Sequence, residues 1–313
     1  MSRFKFFEEE KNGSILTPEQ EIIEQSADSQ DISLKKYRYR VQQVIITKFN
    51  GEIVSSGSTK QEYLIGINST SQFVKYVDVE LIENVIQFEP AQLQTAIGLL
   101  CDVDIVKCNV SINPNQQSGK MYNIGDKSRM LTAWGNYKRD VTKKFSFLKS
   151  DEEWANINLF IESVEKQIHD DNLLLVDYES KIFFDLIFDK YLVSKEDFKP
   201  FTKYYISNLF DHRLLLLNME QSVIQHSPGF MQVKQTGTLN KNDINENDLI
   251  AIYNDKYKPY VGYSYTGYDY KFSNDYTLNT AENIIEKANV LIIEEIKNNV
   301  QITVNYELKL VDL

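Results

Sequence analysis

The sequence predicts an α+β fold, with β-rich N- and C-terminal parts of hairpins and barrel-like sheets around a helical middle insertion. Three observations predict it. Asn50-Gly51 joins two runs of β-branched and aromatic residues. Apolar residues at helical spacing begin near residue 150, and the chain closes on strict apolar/polar alternation. A hydrophobic fraction of 42%, with 17 Phe and 19 Tyr, supplies enough apolar surface to repay the ordering of a core. The 313 residues accommodate about two domains.

The expected organisation is an acidic, flexible lead-in over 1–34, a β-rich domain over 35–149, a helical region over 150–227 and a β-rich module over 228–313. Within the lead-in, Pro18 opens a short helix through Ile22 and Ile23. Tyr37 to Phe49 reads as a strand, and Asn50-Gly51 as a type I′ turn, because both central residues need positive φ. Phe73 to Leu81 alternates as a second strand. Pro90 opens a helix carrying Leu93, Ala96, Ile97 and Leu100, and Val103 to Ile112 reads as a strand. Asn113 to Arg129 reads as loop; its Gly119-Lys120 lacks the flanking residues of a phosphate-cradling turn.

Ser150-Asp151-Glu152-Glu153 has a capping-box pattern, and Trp154, Ile157, Ile161, Val164 and Ile168 form the stripe of an amphipathic helix. Further helices are expected around Ile182 to Tyr191 and through Phe201, Tyr205 and Leu209. After Pro228-Gly229, strands are expected at Val233–Leu239 and Asp248–Tyr253, and Tyr263/Tyr265 with Tyr268/Tyr270 read as a hairpin about Thr266-Gly267. Asn279 to Glu282 looks like a helix cap before Ile284, Ile285, Ala288, Leu291, Ile292 and Ile296. Val300, Ile302, Val304, Tyr306, Leu308 and Leu310 then alternate as a closing strand.

Charge narrows the function classes. With 45 acidic and 34 basic residues the net charge is −11, which disfavours general nucleic-acid binding and anionic membrane surfaces. Lys138, Arg139, Lys143 and Lys144 form the best basic patch and read as a solvated face. No apolar run is long enough for a membrane span, and the first ten residues lack the apolar segment of a secretory signal. Two cysteines and three histidines announce no zinc site and no disulfide framework.

Individual chemical candidates read as structural. Asp211-His212-Arg213 is the most enzyme-like triplet, yet sequence neighbours on a helix diverge in direction. His169-Asp170-Asp171 with Asp177 would need further ligands to hold a metal. Asp102 and Asp104 are two apart on the expected strand, and Cys108 reads as a buried thiol. No catalytic, cofactor or metal residues are therefore assigned. The tyrosines Tyr263, Tyr265, Tyr268 and Tyr270 are the interface candidates, because tyrosine combines a large apolar area with a polar tip.

The C-terminal 65 to 70 residues resemble hub modules of phage tails. The resemblance rests on Asn247 to Tyr253, Val261-Gly262-Tyr263, the segment Ala281 to Lys297 with Ala288-Asn289-Val290-Leu291-Ile292, and the closing Val311-Asp312-Leu313. In that family a strand and a Gly-Tyr return strand precede a helix and a last strand. Here Asn247 stands where glycine is usual. The resemblance implies a non-catalytic structural protein of a phage tail or injection apparatus near the baseplate hub. It further implies a virion protein assembled in the host cytoplasm, a homo-oligomer (a trimer or ring), and other tail or assembly proteins as partners, with no nucleic acid and no membrane insertion. The alternative is an intracellular protein-binding partner, such as an immunity or chaperone-like protein.

Overall fold

The computed structural model describes residues 33–70, 73–145, 150–193, 198–210 and 213–313. The expected short helix at Pro18 and all but the last two residues of the lead-in lie outside them. Eleven strands form a single antiparallel sheet: β1 (Ser33–Phe49), β2 (Glu52–Ser69), β3 (Val74–Glu89), β4 (Asn109–Pro114), β5 (Met121–Asp126), β6 (Phe201–Ile206), β7 (Leu214–Ser227), β8 (Phe230–Leu239), β9 (Tyr268–Asn279), β10 (Ile284–Ile296) and β11 (Val300–Val311). Their spatial order is β5-β4-β3-β2-β1-β11-β10-β9-β8-β7-β6. The first and last strands are neighbours at the centre, with Val41 opposite Leu308 and Ile45 opposite Val304. From there one meander runs outward to β5, and the other comes in from β6.

This corrects the expected architecture. The helices do not form an insertion between two β-rich parts; they are distributed along one continuous open sheet. Helix α1 (Gln94–Lys107) joins β3 to β4. Helices α2 (Ser128–Lys144), α3 (Asp151–His169), α4 (Asp171–Glu179) and α5 (Ile182–Ile187) carry the chain between the edge strands β5 and β6. Helices α6 (Glu246–Lys256) and α7 (Lys258–Val261) link β8 to β9. An antiparallel sheet can leave one face in water, so a single covered face suffices.

Some elements match the sequence reading. Asn50 and Gly51 have φ of 51° and 84°, the positive values their turn requires. α3 and β11 also stand where periodicity puts them. Four segments exchange type, and apolar positions four apart account for two of them, β10 and β6. Ile284, Ala288, Ile292 and Ile296 are four apart, which fits a helix face and, because four is a multiple of two, a strand face as well. All four are buried on strand β10 instead of a helix; Ala288, Ile292 and Ile296 line its inner face, and beyond the bulge between Ile285 and Lys287 it is Ile285 that pairs with the inward Leu278. Asn279 accepts hydrogen bonds from the amides of Ala281 and Glu282, so the apparent helix cap closes the β9–β10 turn. Conversely, Leu249 and Tyr253 are buried on helix α6 and not on a strand, and Phe201 with Tyr205 belongs to strand β6 and not to a helix. The expected strand from Val103 is the last part of α1 as far as Lys107. Tyr263 and Tyr265 precede β9 in a loop, so the expected tyrosine hairpin is absent.

The inner sheet face is apolar and is covered by the chain's own helices and turns. On β9, Tyr268, Tyr270, Phe272, Tyr276 and Leu278 alternate inward; across the centre, Tyr39, Tyr63, Val79 and Leu308 continue the same face. Helix α5 lies against it. Phe183 stacks on Tyr63 with ring centroids 3.6 Å apart and meets Tyr39 edge-on at 6.3 Å. Phe184 stacks on Tyr178 of α4 at 4.5 Å. Truncating such a ring removes its burial and leaves a cavity. Phe183→Ala is therefore expected to cost about 3–5 kcal/mol in urea unfolding. Val176→Ala, at an exposed α4 position, is expected to stay within about 0.5 kcal/mol.

Candidate protein interaction surface

The structure divides the four tyrosine candidates. Tyr268 and Tyr270 are buried on the inner face of β9, so they are core residues and present nothing to a partner. Tyr265 is half-buried and meets the Tyr253 ring edge-on at 5.7 Å. Tyr263 is 62% exposed, as is its neighbour Tyr260 at 77%. The loop carrying Tyr263 is held in place: its carbonyl accepts from the Tyr253 hydroxyl at 2.9 Å, and the Asn299 amide donates to both Tyr253 and Ser264 at 2.8 Å.

The other candidates prove to be structural or lie outside the description. Asp211 and His212 are outside the described residues, while Arg213 pairs with Asp248 at 3.1 Å. Asp170 caps α4 by accepting from the amides of Asn172 and Leu173. Asp102 and Asp104 lie on α1, not on a strand. Asp104 and Asp177 both bind Lys181, at 2.9 and 3.0 Å, and Asp177 also binds Lys107 at 2.9 Å. These contacts tie α1 to α4 and to the start of α5. Cys108 is fully buried, and that burial pushes its thiol up to about 12. In the basic patch, Lys138 pairs with Glu165 at 2.7 Å and lies over the Trp134 ring. Among the described residues no group of three or more His, Cys, Asp or Glu is placed to hold a metal ion. No helix there is long and apolar enough to cross a membrane.

Two acidic side chains on the covered side organise the fold. Glu294 of β10 is completely buried and makes no ion pair among the described residues. It accepts from the Ser207 hydroxyl, from the Tyr268 hydroxyl at 2.7 Å, and from the amides of Asn208 and Leu209 at 2.8 and 3.2 Å. The turn after β6 is thereby fixed to the sheet face. Asp185 of α5 is met by Lys203 of β6, by the Tyr205 hydroxyl at 3.3 Å and by Lys120 of the β4–β5 turn at 3.5 Å. Burial pushes this carboxyl up, but the charges of Lys203 and Lys120 outweigh it and hold the group down to about 2.

The covered face is thus filled, and the sheet's open margin remains. Among the described residues β6 has one strand neighbour, β7, because it ends the strand order. Lys203 and Tyr205 point inward to Asp185, which turns Thr202, Tyr204 and Ile206 to the outer face. Cross-strand pairing sets Tyr204 beside Leu216 and Ile206 beside Leu214. Tyr204 is 57% and Leu214 63% exposed. The result is an uncharged apolar patch across β6 and β7, beside a strand edge that has no strand partner among the described residues. Edge strands usually carry charge, proline or a bulge at such places; β6 has one charge, Lys203, turned inward to Asp185, and no proline or bulge within its six paired positions, so its outer-face positions Thr202, Tyr204 and Ile206 are uncharged. The sequence reading missed this site because Phe201, Tyr205 and Leu209 matched a helical period.

No family model matches the chain, and no curated protein matches it. A solved structure titled for lipid–protein interactions in lipovitellin is similar over 88% of this chain, with a TM-score of 0.45 and 13% identity. This chain spans 25% of that chain's length. At this distance the likeness says nothing of ligand or activity.

Two outcomes test the acidic groups. An unfolded carboxyl titrates near pH 4, above the folded value of Asp185, so its stabilising effect is present above about pH 4 and lost as pH falls toward 2. Asp185→Asn is expected to melt below wild type at neutral pH, with the deficit shrinking between about pH 4 and 2. Glu294→Gln replaces a buried acceptor of four hydrogen bonds and is expected to cost about 1–3 kcal/mol in urea unfolding.

Proposed function

We propose that this protein is a non-catalytic assembly subunit, which binds a neighbouring protein subunit through the open β6–β7 margin of its sheet. The observation that carries the proposal is an uncharged apolar patch, the exposed Tyr204 and Leu214 with the half-buried Ile206 and Leu216, beside a strand edge that has no strand partner among the described residues. A strand added there would satisfy the outer backbone groups of β6 and cover the patch in one step.

The tail-hub resemblance keeps only its coarser content here. That family has a strand where Asn247 to Tyr253 lie and a helix where Ala281 to Lys297 lie. In this chain the first segment is in α6, and β10 fills most of the second. The proposal accordingly carries subunit binding and not a place in a tail.

Light scattering on the full chain after size-exclusion chromatography, across a concentration series, tests this reading. The expected mass exceeds that of one chain. Tyr204→Lys combined with Leu214→Lys is expected to restore the one-chain mass with the far-UV circular dichroism spectrum unchanged, because both side chains are exposed. A one-chain mass for the wild type at every concentration overturns the proposal.

A further inference from the structure

We infer that the neighbour at this margin is a second copy of the chain, joined by antiparallel pairing of β6 with β6 about a two-fold axis at Tyr204. The inference rests on the assembly reading and adds its partner and its geometry.

The two margins of the sheet are unequal templates. β5 pairs with β4 through two register shifts within its short length, and Lys127, which follows it, is tied to α3 and α4 through the Ile168 carbonyl and Asp171. β6 pairs with β7 over six consecutive residues without a shift. A regular edge meeting an irregular one would leave backbone groups unmatched, whereas β6 against a copy of itself matches regular to regular. Such a contact is isologous, so it closes at a dimer and adds no further copies.

Charge supports the same partner. A chain carrying −11 repels its own copies over most of its surface. The outer face of β6 and the paired part of β7 present Thr202, Tyr204, Ile206, Leu214, Leu216 and Asn218, none of them charged. At this surface two copies meet without juxtaposing acids.

Of the possible axes along β6, those at Lys203 and Tyr204 pair the most residues, five of the six, and charge selects between these two. A strict two-fold axis through an antiparallel pair sets one residue opposite itself. With the axis at Lys203, two ammonium groups would stand directly opposite, which is destabilising. With the axis at Tyr204, the tyrosines face each other on the outer side, Thr202 faces Ile206 of the second copy, and Lys203 faces Tyr205 of the second copy. No like charges then meet. Each Lys203 keeps its own Asp185. The contact joins two eleven-stranded sheets into one continuous sheet.

Directly opposed residues of an antiparallel pair have Cβ atoms about 4.5–5.5 Å apart, close enough for engineered cysteines to join with small adjustment. Tyr204→Cys in the full chain, treated with diamide, is therefore expected to run mainly as a covalent two-chain species on a non-reducing gel. Diamide takes up the two electrons and two protons released by the thiols. Cys101 and Cys108 are buried, so wild type is expected to stay single-chain in the same treatment. Thr202→Cys alone is expected not to cross-link, while an equal mixture of Thr202→Cys and Ile206→Cys is. If light scattering shows an assembly that Tyr204→Lys dissolves, yet Tyr204→Cys gives no covalent pair, the two-fold geometry fails and the assembly reading stands. A covalent pair from Thr202→Cys alone overturns the register. A one-chain mass for wild type overturns both.

Discussion

The structure depends on one constraint: an open sheet with a single apolar face has to be covered by its own chain. The cover is the short helix α5 with the turn that follows it. Phe183 stacks on Tyr63 near the sheet's centre, and Tyr191 reaches Tyr276 on β9. Asp185, between these contacts, binds Lys120 beside one margin and Lys203 on the other. Strands far apart in the sheet's order are thus drawn toward the same helix, so the sheet curls around its cover. Gly119 shows how close that approach is: a Cβ there would come within 2.0 Å of the Asp189 carbonyl.

The two acids of the covered side are satisfied in two ways. Asp185 is neutralised by lysines, and the sum of their fields exceeds the cost of desolvation. The buried oxygens of Glu294 are satisfied among the described residues by hydroxyls and backbone amides. Each acid holds a different piece of chain to the same face. Because that face is occupied, the surface left open is the outer face, the exposed loops and the margin of β6. That margin combines exposed apolar area with an edge that has no strand partner among the described residues.

How much was legible depended on whether a residue pattern admitted one period or two. Asn50-Gly51 and the alternation from Val300 to Leu310 admit only one, and both stand as read. Trp154 to Ile168 steps by three and four, which no strand matches, and α3 is a helix. Positions four apart fit both periods, which is why β6 and β10 read as helices, whereas the run Asp248 to Tyr253 in α6 is too short to show a period and reads as a strand. The candidate site depends on this directly: a helix through Phe201, Tyr205 and Leu209 has no sheet edge, so spacing alone gives Tyr204 no role. Tyr268 and Tyr270 are interface candidates by residue type alone, and alternation on β9 turns both inward.

By itself, the sequence determined the local turns, the strongly periodic elements, the acidic balance and the presence of a large aromatic core. These follow from φ preferences, side-chain spacing and composition, which need no distant partner. Only the tertiary structure decided that all the strands belong to one sheet, that β1 and β11 meet at its centre, and that β6 ends it. Pairing between strands hundreds of residues apart is set by which apolar faces can be buried together, and one-dimensional spacing does not contain that information.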